Sequence, residues 1–266
     1  MNHLLRDLAP ISEAGWKLLD DEATERLTPA LAARKLVDFR GPGGWEHSAT
    51  NLGRTAAVGS TPVKGLSALQ RRVLPLVELR ADFELPRAEL RDADRGADDT
   101  DLGALDTAAH QIAVAENAAV LQRWQGVFSG VSDASPHKPL PLGKAAGAYP
   151  APLARAVELL LQSGIAGPYG LALGSEQYQA VIETSERGGY PLSKHLRTFL
   201  DGPIVWAPGL SGAVVLSLRG GDFVFDCGQD ISIGYDSHDA DVVRLYLEES
   251  FSFHVATPEA AVALRA

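Results

Sequence analysis

The sequence has one cysteine and one methionine among 266 residues. A single thiol, Cys227, cannot close an internal disulfide, and its place inside a predicted strand reads as a small apolar core residue in a reducing compartment. Long apolar runs are missing as well. The opening MNHLLRDLAPISEAGW holds no stretch suited to a signal peptide, and nothing downstream approaches a membrane span, so a cytoplasmic protein with no membrane partner is expected. Basic residues are the scarcer charge. The 24 Lys and Arg against 34 Asp and Glu leave a formal net charge of −10, which argues against nucleic acid as a partner bound by bulk electrostatics.

Catalytic signatures are absent too. There is no G-x-G-x-x-G, no phosphate loop and no H-E-x-x-H, and the Gly-Pro-Gly-Gly at 41–44 opens onto no helix, as a dinucleotide site requires. The 7 histidines are scattered without ligand spacing, so no metal site is expected. Ser237, His238 and Asp239 are consecutive, whereas a triad is assembled in space from distant segments, so they read as a polar turn. GLSGA at 209–213 misses the nucleophile elbow by one residue and lies between strands. No catalytic residue is assigned, and an enzyme is not expected.

What is present is organised unevenly. Ser12 can cap a helix with Trp16, Leu19, Ala23, Leu27 and Leu31 on one stripe. Thr28 and Pro29 read as a fresh cap and first-turn pair, giving a kink or a second short helix that carries Leu31, Arg34 and Lys35. From Trp45 to Gln70 no helical period appears, and glycine and proline punctuate what reads as a two-stranded excursion or, alternatively, a surface loop. Its expected return arm alternates cleanly, with Val77, Leu79, Ala81, Phe83 and Leu85 between charged residues. Such a ribbon cannot bury itself against its own arms and needs a neighbour.

An acidic turn over Arg91–Asp101 leads to a long helix from Leu105 to Trp124, and Pro/Gly/Ser-rich residues 131–150 suggest a domain boundary. A second unit follows: a helix stopped by Gly164, the strand YGLALG, a helix capped by Ser175, the loop ETSERGGYP, the helix PLSKHLRTFL, and the strands PIVWAP and GAVVLSL. From Val214 onward, β-branched and aromatic runs broken by Gly and Asp turns read as a small antiparallel sheet ending the chain.

Six blocks in order carry a family likeness: Leu4–Trp16, ARKLVDFRGPGGWEHSA at 33–49, LPLVELRADFEL at 74–85, GIAGPYGLAL at 164–173, GGYPLSKHL at 188–196, and the C-terminal RGGDF, GQDISIGY and VVRLYLEESFSF. Together they resemble the encapsulins, bacterial compartment shells of the linocin/bacteriocin type. The resemblance implies an α+β chain with the tailed-bacteriophage major capsid protein fold. Residues 1–44, 81–131 and 219–266 would form its peripheral domain, 45–80 its extended loop and 132–218 its axial domain.

The implied function is self-assembly into a closed icosahedral shell of identical copies. Such a shell encloses a dye-decolourising peroxidase or a ferritin-like protein, in the service of oxidative-stress defence or iron storage. A phage-derived major capsid protein is the alternative, and a bacteriocin or hydrolase a weaker one. In this family the cargo's C-terminal targeting peptide lies in an inner groove, for which Leu27, Leu31, Arg34, Asp38, Ile231 and Ile233 are the candidates; each could equally be plain core. The axial loop lines a pore, for which Ser185, Glu186, Arg187 and Gly188 are the candidates, an ordinary solvated turn being the other reading. Some members also stack a flavin on a tryptophan just past the LPLVELR strand. Here Ala88 occupies that place, so no cofactor is expected.

Overall fold

The computed structural model describes residues 3–186 and 188–265. The Ser12 Oγ accepts from the Gly15 amide at 2.9 Å and starts α1 (Glu13–Ala30), whose Leu19, Ala23 and Leu27 face inward. Pro29 does not divide this helix. Thr28, expected to open a new one, donates its Oγ1 to the Thr24 carbonyl at 2.6 Å, and only a 3-10 turn, Ala33–Lys35, follows the helix end.

Strand β1 (Asp38–Arg40) leads to the ribbon, β2 (Ala49–Ala57) against β3 (Leu69–Pro75), and then to β4 (Val77–Pro86). The alternating segment expected as the ribbon's return arm is β4, and it belongs elsewhere: its buried Ala81, Phe83 and Leu85 lie over the core. The true return arm is β3. The expected acidic turn is partly helical, as α2 (Arg87–Asp94). The spine helix, α3 (Gly103–Asn117), ends in a π turn at Ala118–Gln122, so Trp124 lies in β5 (Arg123–Trp124), paired with β6 (Phe128–Ser129).

The second half holds α4 (Val131–Ala134), β7 (Leu140–Pro141), α5 (Pro150–Gln162), β8 (Tyr169–Leu173), α6 (Ser175–Glu183), α7 (Leu192–Leu200), β9 (Ile204–Trp206) and β10 (Ala213–Ser217). Gly164, in the left-handed region at φ 75°, ends α5 as its sequence position predicts. Ser175 does not cap α6; Gly174 is the cap residue, and the Ser175 Oγ accepts from the Trp206 indole at 3.0 Å. Four strands close the chain: β11 (Phe223–Cys227), β12 (Ser232–His238), β13 (Val242–Val255) and β14 (Ala261–Arg265).

Two five-stranded sheets organise these elements. In the first, β4 runs along one edge of β13, while β12 and β11 share the other edge, with β1 parallel to β11 beyond. In the second the order is β7-β14-β10-β8-β9, and β8 and β10 are buried throughout, which is why both read as unbroken apolar runs. The terminal block is therefore not one sheet. Its last strand, β14, leaves the first sheet and pairs antiparallel with β10, so the chain end sits inside the other half.

Two apolar cores result. One fills the space between α1, α3 and the strands β4, β12 and β13. The other surrounds the second sheet and extends to an aromatic stack in which Phe251 lies 4.7 Å from Phe225 and 5.8 Å from Phe128. Cys227 is fully buried in this second core, and burial pushes its thiol up to about 12, so it is held as an unreactive thiol.

Candidate functional site

The elbow between α1 and β1 is built around a buried amide. Asn117, at the end of α3, accepts from the Ala32 and Ala33 amides at 3.0 Å each and donates to the carbonyls of Ala30 and Pro208 at 2.8 and 3.1 Å. All four hydrogen-bonding capacities of the side chain are used. The amide thereby fixes where the 3-10 turn presents Arg34.

Arg34 is the hub of a charged cluster. Its guanidinium donates to Glu116 at 2.7 Å, Asp230 at 2.6 Å and Glu249 at 2.8 Å, and lies over the rings of Phe39 and Phe225 at 5.1 and 5.4 Å. Burial works against this charge, but Glu116, Glu249 and Asp230 outweigh it and hold the guanidinium ionised above the usual arginine value. Burial also raises both glutamates, and Glu249 goes well above the ordinary carboxylate range because the Glu116 charge adds to the effect. As ionised groups, Glu116 and Glu249 each leave an Oε1 without a donor. A proton on Glu249 turns that carboxyl into a donor toward Glu116, which leaves Arg34 facing one buried carboxylate and the half-exposed Asp230.

The six groove candidates separate by depth. Leu27 and Ile233 are interior side chains of the core under α1. Leu31 and Ile231 lie half-buried at the edge of that core, and Arg34 is half-buried beside them, joined to the Ile231 turn through Asp230, whose Oδ1 also accepts from the Ile231 amide at 2.8 Å. Asp38 is turned away, its carboxylate accepting from the Gly221 amide at 2.5 Å. Of the six, only Leu31, Ile231 and Arg34, with Asp230 beside it, thus keep exposed surface on this side.

Sequence reasoning missed Glu116, Glu249 and Asp230. For Glu116 a signal existed, because it falls on the stripe of Ile112 and Ala113, where an acid on an apolar face demands a partner.

The candidate pore loop joins α6 to α7. It is closed by its own backbone: the Glu186 amide donates to the Tyr190 carbonyl at 2.8 Å, the Gly189 amide to the Glu186 carbonyl at 2.9 Å, and Ser185 bridges to Pro191. Gly188 and Gly189 take φ of 93° and 80°, the left-handed region that favours glycine. Ser185 and Gly188 are exposed, whereas the Glu186 carboxylate is folded back 2.7 Å from the His195 Nδ1 on α7. Arg187 lies outside the described residues.

The ribbon exposes Val63, Leu66, Leu69 and Val73, with Leu66 65% exposed. Ala88 sits exposed on α2, where its methyl group offers no ring for stacking. The Ser237–Asp239 run is not the turn its sequence suggests: Ser237 and His238 end β12, paired with Arg244 and Val243, and only Asp239 lies in the turn beyond, accepting from the Asp241 and Val242 amides, while His238 bonds the Tyr235 hydroxyl. Among the described residues no helix is long and apolar enough to cross a membrane.

Residues 1–252 match the family described as encapsulating protein for peroxidase. The type 1 encapsulin shell protein of Rhodospirillum rubrum is 47% identical over 271 aligned residues, covering 100% of this chain and 97% of that one. The corresponding protein of Mycobacterium tuberculosis is 40% identical over 265 residues, covering 99% of each. Of solved structures, a virus-like particle from Pyrococcus furiosus superimposes with a TM-score of 0.67 at 16% identity, over 94% of this chain and 99% of that one. The capsid of an empty GTA particle gives a TM-score of 0.53 at 17% identity, over 89% of this chain and 90% of that one. At such identities the likeness speaks for the fold alone, which is that of the tailed-phage capsid proteins. The chain belongs to the type 1 encapsulin shell proteins.

Proposed function

We propose that copies of this chain close into an icosahedral cytoplasmic shell. The shell encloses a cargo enzyme, a dye-decolourising peroxidase or a ferritin-like protein, taken up through its C-terminal targeting peptide. The observation that carries the reading is the ribbon: two paired strands leave the body with Leu66 and Leu69 exposed, and a lone two-stranded ribbon is marginal in water unless another surface covers it. A second copy supplies that surface, and a closed point group satisfies every ribbon at once. The chain contributes no catalytic group of its own in this reading. Chemistry belongs to the cargo, and the loop around Glu186 borders the opening through which small ions pass.

The peptide groove in this reading is the strip from Leu31 to Ile231 beside Arg34, apolar with a charged rim, suited to a short apolar tail. Electron microscopy and sedimentation of purified protein test the shell: uniform closed particles are expected, and a single-chain species at every concentration would refute it. Leu31→Asp tests the groove. Intact shells that have lost their cargo are expected, and either retained cargo or failure to assemble would remove it.

A further inference from the structure

We propose that the arginine pair Arg54 and Arg72 on the ribbon docks onto carboxylates of a second copy, with Asp98 and Asp99 as the receiving residues; this rests on the shell reading above. The ribbon is the anomaly in a chain of net charge −10: residues 45–75 carry Arg54, Lys64, Arg71 and Arg72 against Glu46 alone. Register makes the anomaly sharper. Asn51 pairs with Val73, but a bulge at Leu52 and Gly53 shifts the next pairing so that Arg54 stands directly opposite Arg72. Gly53 takes φ 65° there, and its amide is held by the Asn51 side chain at 2.9 Å.

Like charges opposite one another across a strand pair are destabilising. Both arginines are exposed, and neither has a carboxylate partner among the described residues. Within one chain the arrangement only costs stability. It becomes favourable when an anionic surface is placed against it.

The protein carries such a surface on its body. Residues 89–101 hold six acidic residues against Arg91 and Arg95. Asp92 pairs with Arg95, and Asp94 accepts from Ser12, but Asp98 and Asp99 are exposed without a counter-ion among the described residues. In an assembly of identical copies, the positive ribbon of one chain and the negative body segment of the next are complementary in charge.

The test is charge exchange, read by light scattering and electron microscopy. Arg54→Gln/Arg72→Gln should raise the protein concentration needed for shells by about tenfold, two exposed ion pairs per contact being lost, while leaving the far-UV spectrum of the chain unchanged. Its assembly should also respond less to added salt. Arg54→Glu/Arg72→Glu should not assemble at low ionic strength, and adding Asp98→Arg/Asp99→Arg should restore shells. Equal assembly and equal salt response for the glutamine variant, or no rescue by the exchanged aspartates, would overturn the proposal while wild-type shells stand. Wild type that never assembles would instead refute the shell reading. Nucleic acid retained by wild-type particles and lost from the glutamine variant would assign the arginines to phosphate, and likewise overturn it.

Discussion

Replacing Asn117 with leucine tests whether the elbow that presents Arg34 is held by one amide. Leucine has the branching of asparagine, so the substitution removes four hydrogen bonds while its bulkier methyl groups add some overpacking at a fully buried position. The four groups left behind are not equally orphaned. The Ala32 amide keeps a bond to the Ala30 carbonyl at 2.9 Å, which satisfies both of those groups in part. The Ala33 amide and the Pro208 carbonyl keep nothing. Each orphaned buried polar group costs about 1–3 kcal/mol, so the loss should be about 4 kcal/mol, toward the large end for a single substitution. Denaturant unfolding of cargo-free protein measures the loss. Amide exchange locates it, with faster exchange expected at Ala33–Leu36 than in β8 or β10. A loss below about 1 kcal/mol, or uniform exchange, would refute the reasoning, because it would mean that water or backbone shifts replace the amide without cost.

Glu249→Gln addresses the buried carboxyl pair. The folded value of Glu249 lies above its ordinary 4.5, so its contribution to stability is full below 4.5 and is lost as pH rises through the raised folded value. Glutamine mimics the protonated form, so the variant's unfolding midpoint should fall less steeply than the wild-type midpoint over that range, the remaining slope being that of Glu116; parallel curves would refute the shared proton. Phe251→Ala removes the ring at the centre of the stack with Phe225 and Phe128 and should cost about 3–5 kcal/mol in denaturant unfolding, a loss under about 1 kcal/mol arguing that the stack has little weight.

Much of the fold was legible because burial writes a period. The stripe of α1 and the alternation of β4 both have a wet face and a dry face, and both elements stand where their patterns put them. The pattern could not say which strand β4 joins. Alternation fixes a face and not a neighbour, so β4 read as part of the ribbon, although its partner β13 lies more than 150 positions away. The same limit hid the departure of β14 to the second sheet: AVALR is apolar on both sides and fits either core. At Thr28–Pro29 a local rule met a tertiary one. Proline tolerated in a last turn, and a threonine bonded back to Thr24, cost less than opening the helix against Leu27 and Ala30 in the core.

Leu31, Ile231 and Arg34 were singled out from the sequence, whereas the carboxylates that gather around Arg34 were not, for a physical reason. An apolar side chain announces its burial by type, whereas Glu116 and Glu249 look like surface residues until Arg34, from a third segment, meets them. Buried ion clusters of this kind add little net stability over an apolar replacement, but removing one member leaves uncompensated charge. The cluster therefore acts as a register: α3, β13 and the elbow after α1 each contribute a group, and only one relative placement pairs them all. In the proposed groove Arg34 reaches a peptide only through its edge toward Asp230, and the buried Glu116 and Glu249 shape the Leu31 to Ile231 strip without touching what binds there. Arg34→Lys should accordingly weaken the fold itself, since one ammonium cannot span three carboxylates in the directions that a planar guanidinium does.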